Sequence, residues 1–204
     1  MNNKNAEDLK HIRSMMEQSS RFISLSGWSG IFAGIYAIIA ASSAYYLFWK
    51  SDVDYFNRST NLISIELVYE LLLIGLITLI LAVGTGIVLS VRKSKKKQLK
   101  IWNHVTKRLL IHLFVPLLSG GLFCIALYLN ESLGLIAPAM LIFYGLALLN
   151  ASKFTFPDIA YLGYCELALG MIGLFFIGKG LLIWAIGFGL LHIIYGIFIQ
   201  RKYH

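Results

Sequence analysis

Residues 71–129 read LLLIGLITLILAVGTGIVLSVRKSKKKQLKIWNHVTKRLLIHLFVPLLSGGLFCIALYL. Two apolar runs, without an acid, lysine or arginine in either, flank a short loop at 92–108. That loop holds Arg92, Lys93, Lys95, Lys96, Lys97, Lys100, Lys107 and Arg108, eight of the eighteen Lys and Arg in the chain. About 20 helical residues, each rising about 1.5 Å, cover a hydrocarbon core about 30 Å thick, and both runs meet that length. A small water-soluble domain keeps much of its surface exposed and has no interior large enough to hide them. Lipid is the solvent that suits such runs, with the cations held on one side of it.

The same test, carried outward, finds further spans and gives six in all: 27–49, 63–91, 109–129, 133–150, 159–177 and 181–199. The fold class is therefore all-α, a polytopic six-transmembrane-helix bundle over residues 27–200. Composition agrees. The apolar share of 58% lies above the roughly 45–50% of soluble domains, and the charged share of 14% lies below their roughly 25%. The second span is longer than a bilayer needs, which implies tilt or outer turns clear of lipid. The fourth is short and contains Pro138, a residue that kinks a helix and frees a carbonyl. Residues 1–26 form a cytoplasmic N-terminal segment. Leu9, Ile12, Met16 and Ile23 recur there at near-helical spacing among polar residues, the pattern of a short amphipathic helix lying on the inner leaflet.

Orientation follows from the cations. With both termini in the cytoplasm, fifteen fall inside: the eight of the loop with Lys4, Lys10, Arg13, Arg21, Lys153, Arg201 and Lys202. Three fall outside: Lys50, Arg58 and Lys179. Trp28, Trp49, Trp102 and Trp184 lie near span ends, as interfacial anchors do. The links near Asn130 and Gly178 are so short that the third and fourth spans, and the fifth and sixth, form antiparallel hairpins. Tyr144-Gly145 and Tyr195-Gly196 sit at matching places late in the fourth and sixth spans, a faint internal echo. Cys124 and Cys165 both lie inside apolar runs, which suits free thiols filling space.

Glu166 is the first candidate for chemistry. It lies eight residues after Asp158 on a span entering from the cytoplasm, about 12 Å deep. An acid near the bilayer centre is costly, rarely faces lipid and calls for a partner. His192 lies eight residues before Gln200 on the next, antiparallel span, at nearly the same depth. Tyr195 and Tyr164 complete the expected polar cluster. The cluster reads either as a proton, ion or ligand site, or as a hydrogen bond joining two helices with Glu166 carrying a proton. Secondary candidates are Glu66 and Glu70, four apart on one face, and His112, one turn inside the third span. The two acids read as solvated first-turn carboxylates favoured by the helix dipole, or as a cation pair if drawn into the core. His112 snorkels to the interface in its plain reading. A metal site would need His112, His192 and Glu166 to converge, and no ligand-pair motif such as H-E-x-x-H supports one, so none is assigned.

Small residues recur at Ser26, Gly30 and Gly34, and at Gly187, Gly189 and Gly196. Such ridges let backbones approach, within the bundle or between protomers of a homo-oligomer. The basic loop sets topology and attracts anionic lipid; the charge run alone does not make a nucleic-acid site. The chain lacks a phosphate-binding Gly-rich loop, a Gly-x-Ser-x-Gly elbow and an identifiable nucleophile–base pair, so the sequence favours no enzyme and calls for no cofactor.

The stretches IRSMME (12–17), SRFISLSG (20–27), PAMLIFYGLAL (138–148) and NASK (150–153) resemble an uncharacterised family of small bacterial membrane proteins. The resemblance covers most of the chain. It implies residence in the bacterial cytoplasmic (inner) membrane, and it carries over no activity and no catalytic residue. The function expected is transport or sensing of a small solute or ion through the polar site at Glu166. The alternative is a non-enzymatic scaffold or regulatory protein that recruits a cytosolic partner through the N-terminal helix and the basic loop.

Overall fold

A computed structural model of the chain describes residues 26–51, 64–96, 98 and 101–203. The expected amphipathic helix, most of the first outer loop and Lys97 and Lys100 lie outside the described residues. Among the described residues the regular structure is all helical, in six helices. We number them α1 (Gly27–Lys50), α2 (Ile65–Lys96), α3 (His104–Leu129), α4 (Ile136–Ala151), α5 (Ile159–Phe175) and α6 (Gly180–Tyr203). Short 3-10 turns, Leu133–Leu135 and Ser152–Phe154, bracket α4. By length and composition α1, α2, α3, α6 and α4 with its flanking turns are long and apolar enough to cross a membrane. The 17-residue α5 is shorter, about 26 Å.

Local signals fix several ends. Ser64 Oγ accepts from the Leu67 amide at 3.2 Å, and Asn103 Oδ1 accepts from the Thr106 amide at 2.8 Å, so each side chain satisfies an amide that its helix cannot. The cap at Asn103 starts α3 five residues before the apolar run begins. In the same way α2 continues past Val91 to Lys96, so the basic stretch 92–108 is largely helix ends around a short link. The α3–α4 corner closes as a Schellman turn. Glu131 takes the left-handed conformation (φ 55°), its amide donates to Tyr128 O at 3.1 Å, and Ser132 N donates to Leu127 O at 2.8 Å.

Glycine contacts hold the interior. A Cβ on Gly27 would lie 2.5 Å from Gly196 O, one on Gly34 2.5 Å from Gly189 O, and one on Gly196 2.6 Å from Ile31 N. The two small-residue ridges of the sequence therefore meet face to face, with α1 and α6 antiparallel and their backbones touching. A second seam, unremarked in the sequence, joins α4 to α5. A Cβ on Gly145 would lie 2.7 Å from Gly163 O, and one on Gly170 2.9 Å from Pro138 O.

Outside these seams the apolar surface is bare. In the most apolar 18-residue window of α2, mean hydropathy 2.7, no residue is buried. Leu118 and Leu122 of α3 are 65% and 70% exposed. Soluble monomers rarely expose contiguous apolar patches beyond a few hundred Å², so this surface is that of a multi-pass membrane protein by composition.

The helices alternate in direction, and their contacts identify one end. Gly27 meets Gln200, Lys93 lies over the Phe156 ring at 5.4 Å, His112 stacks on Phe154 at 4.7 Å, and Lys202 pairs with Asp158 at 2.8 Å. That end carries Arg92, Lys93, Lys95, Lys96, Lys107, Arg108, Lys153, Arg201 and Lys202. Among the described residues the opposite end has Lys50 and Lys179.

Candidate functional site

Glu166 sits at mid-height on the buried stripe of α5 that also carries Leu162, Gly163, Gly170 and Gly173. Spacings of three and four keep these residues on one face, turned toward α4 and α6. Gly163 and Gly170 flank it in the stripe, and α4 approaches closely at both. It is wholly buried, and neither carboxyl oxygen makes a hydrogen bond. The opening for it comes from Gly187 on α6: a Cβ there would lie 2.6 Å from Glu166 Oε2 and 2.5 Å from Leu141 Cδ2.

The backbone around Gly187 is unusual. Residues Ala185–Leu191 form a π-helical turn between the α-helical segments Gly180–Trp184 and His192–Tyr203 of α6. Turns of this kind are rare and concentrate at functional sites, because the extra residue per turn redirects side chains and loosens carbonyls from the regular ladder. Here the Gly187 carbonyl lies 3.0 Å from His192 Nδ1. A carbonyl can only accept, so Nδ1 carries the hydrogen and donates it to Gly187 O. In the neutral ring Nε2 is then an acceptor, and the Tyr144 hydroxyl donates to it at 2.8 Å. Glu166 Oε1 stands 3.3 Å from the same Nδ1. With that hydrogen directed at the carbonyl, the Glu166 contact is electrostatic, not a formed hydrogen bond.

Aromatic rings wall the far side. Phe188 packs against Tyr144 at 5.0 Å and His192 at 5.9 Å between centroids, and Trp184 against Phe188 at 5.1 Å. Toward the basic end, Tyr144, Leu191, Tyr195 and Tyr203 pack on a buried cluster of Leu148, Phe156, Ile159 and Leu162. At the rim Asp158 accepts from Lys202 Nζ at 2.8 and 3.0 Å and from the Tyr203 hydroxyl at 2.5 Å. Burial alone would raise the Asp158 pKa; hydrogen bonds from Lys202 and Tyr203 and the nearby ammonium outweigh it and hold the carboxyl below its ordinary range.

The other sequence candidates lie elsewhere. Tyr164 is 60% exposed on the outer face of α5, away from the centre. Two residues along a helix turn a side chain by about 200°, so Tyr164 and Glu166 cannot share a face. Tyr195 lies one turn beyond His192 with its hydroxyl buried and unbonded. Glu66 and Glu70 are exposed near the start of α2, and His112 is exposed on α3 against Phe154, so His112 does not converge with Glu166. Two contributors escaped the sequence reading. Tyr144 entered it only as half of an echo, and Gly187 only as a packing residue. An open apolar groove of about 460 Å³ between α1 and α2 lies apart from the centre. Its serines, Ser42 and Ser43, already donate to Ile38 O and Ile39 O at 2.9 Å.

No protein-family model, curated protein or solved structure matches the chain. The family resemblance read from residues 12–27 and 138–153 thus has no matching model behind it, and the functional reading rests on the geometry.

Proposed function

We propose that the protein is a six-span membrane protein, its basic end in the cytoplasm, that transports or senses a small solute or ion through protonation of the Glu166–His192–Tyr144 centre. The single observation that carries this reading is Glu166, wholly buried at mid-height, bonded by neither oxygen and 3.3 Å from an imidazole nitrogen. Five helices supply the lengths that span a bilayer, and the shorter α5 is the sixth, tied between α4 and α6 by its glycines. The cation imbalance between the two ends supports the orientation.

The chemistry follows from charge. Glu166 and His192 are jointly neutral with one shared proton, whether it sits on the carboxyl or on the imidazole. Adding or removing a proton leaves one uncompensated charge in a buried contact, a cost of several kcal/mol. Moving a two-state equilibrium from 1:99 to 99:1 takes about 5.5 kcal/mol, so one proton is on the scale needed to switch the α5–α6 contact. A purely structural bond would complete the Glu166 hydrogen bonding, since an unpaired buried carboxyl weakens the contact it is meant to hold. Infrared difference spectroscopy of the protein in lipid, stepped in pH, tests the proposal. A carboxyl band that titrates and vanishes in Glu166→Gln is expected. A wild-type spectrum indistinguishable from that of Glu166→Gln across the accessible pH range would refute it.

A further inference from the structure

The two halves of α6 keep different company. Gly180–Trp184, before the π turn, packs chiefly on α4, and a Cβ on Gly173 of α5 would lie 3.5 Å from Ile183 Cγ2. His192–Tyr203, after the turn, packs chiefly on α1. A Cβ on Gly30 would lie 3.3 Å from His192 O, one on Gly34 2.5 Å from Gly189 O, and one on Gly189 2.7 Å from Ile38 Cγ1. Residues 30, 34 and 38 are four apart, so one face of α1 makes all three contacts. On its other side the same half of α6 turns rings toward α4 and α5: His192 bonds Tyr144, and Tyr203 stacks on Phe156. The helix α2 packs in turn on α1, with the Tyr36 and Thr85 hydroxyls 3.3 Å apart. Among the described residues, α1, α2 and the second half of α6 therefore make one group. The first half of α6 goes with α3, α4 and α5, and the π turn Ala185–Leu191 is where the chain passes from one group to the other.

We propose that the π turn is a joint about which the second half of α6 swings together with α1 and α2, and that the charge of the Glu166 centre sets its position. This rests on the reading of Glu166 as a proton-binding group. The centre straddles the joint. Glu166 belongs to α5, and His192 is the first residue of the second half of α6. The imidazole also reaches back into the turn, where Nδ1 donates to Gly187 O at 3.0 Å, and Glu166 Oε1 stands 3.3 Å from that same nitrogen. A jointly neutral pair leaves the two groups together as observed. A net charge in the buried contact is relieved when the two sides part and water enters. The motion then reaches α1 without slack, because Gly30 and Gly34 meet carbonyl oxygens of α6 with no side chain between.

The groups that face Glu166 from the packed elements are Tyr144 on α4 and His192 on α6, with Tyr195 one turn beyond. Asp158, eight residues earlier on α5, is engaged by Lys202 and Tyr203 at the rim. Those rim bonds and the Lys93–Phe156 contact tie the two groups through side chains, which yield to a swing more readily than the backbone contacts of the α1–α6 seam do. The scale of the motion follows from length. The 12 residues after the turn extend about 18 Å. π turns support kinks of about 20° or more, and a change of half that carries a residue near the far end by about 2–3 Å.

The experiment is a set of spin-label distances on the full chain in lipid bilayers, with Cys124 and Cys165 replaced by serine. One label sits at Leu118 on α3. Its partner is placed in turn at Leu182 before the joint, at Phe198 beyond it and at Leu79 on α2, all of them exposed positions. The Glu166 carboxyl band is followed by infrared difference spectroscopy in the same samples. Over the pH range in which that band titrates, the distance from 118 to 198 should shift by about 2–3 Å, with 79 moving alongside and 182 staying in place. Glu166→Gln should hold all three distances fixed at every pH. Distances that stay fixed while the band titrates, a shift at 182 equal to that at 198, or a shift that survives in Glu166→Gln would overturn the joint with the proton centre intact. A wild type with no titrating Glu166 band would overturn the centre and the joint together.

Discussion

Replacing Gly187 by alanine adds one methyl group at the tightest point of the centre. The new Cβ would lie 2.5 Å from Leu141 Cδ2, 2.6 Å from Glu166 Oε2 and 3.4 Å from Leu169 Cδ2. Non-bonded carbons settle at about 3.5–4.0 Å, so the first contact is short by about 1 Å or more. The intruding atoms are side-chain ends, which normally move cheaply. Here Leu141 and Glu166 are both 0% exposed, so neither can swing out to solvent without moving its neighbours. Overpacking of this kind costs about 1–3 kcal/mol, and we place Gly187→Ala in the upper half of that range because two contacts are violated at once. Leu141→Ala alone opens a cavity worth about 2–5 kcal/mol. In the double variant the new methyl group occupies part of that cavity, so the double should be less destabilised than the sum of the singles by about 1 kcal/mol or more. Unfolding of the purified protein in mixed micelles, titrated with a denaturing detergent, measures all three. A Gly187→Ala within about 0.5 kcal/mol of wild type and additive with Leu141→Ala would show that Gly187 does not make room for Glu166.

Further outcomes follow from the same geometry. Gly34→Val and Gly196→Val press side chains into backbone atoms of the facing helix and should cost at least about 3 kcal/mol in the same titration, whereas Gly75→Val and Gly84→Val, with nothing within 4 Å, should stay within about 1 kcal/mol. The pair at the centre should show coupling. At 3.3 Å and an effective dielectric of about 20, opposite charges attract by about 5 kcal/mol, so a double-mutant cycle of Glu166→Gln and His192→Gln gives several kcal/mol for an ion pair and about 1 kcal/mol for a neutral one. The carboxyl of Asp158 titrates lower in the folded protein than in the unfolded chain. Its links to Lys202 and Tyr203 therefore stabilise fully above the ordinary carboxyl range, near pH 4, and lose that contribution as pH falls through the lower folded value. The stability difference between wild type and Asp158→Asn should be constant near neutrality and shrink in acid; a difference that grows in acid would reverse the assignment.

The sequence showed the helices because apolar runs of bilayer length leave few alternatives, and charge counting gave their alternation. Helix ends were less legible. Asn103 and the continuation of α2 to Lys96 lie in the basic stretch, where caps and helix propensity decide and hydropathy is silent. Depth counting set Glu166 and His192 level because two antiparallel helices share one ruler, and they stand 3.3 Å apart. Tyr144 was out of reach of that argument: its bond to His192 depends on how α4 crosses α6. The π turn at Ala185–Leu191 left only Gly187 and Gly189 as a trace, read as packing. Tyr164, by contrast, was misplaced where the sequence held the answer, since its angle from Glu166 follows from helical periodicity.

The account depends on lipid surrounding the bundle with the cations on one side. Single cysteines in a chain otherwise free of them, with Cys124 and Cys165 replaced by serine, test this directly when placed at 96 and 201 on one end and at 50 and 179 on the other. A membrane-impermeant maleimide applied to intact cells should label 50 and 179, and should reach 96 and 201 only after the membrane is opened. Labelling of 96 or 201 from outside, or of all four alike, would contradict the account.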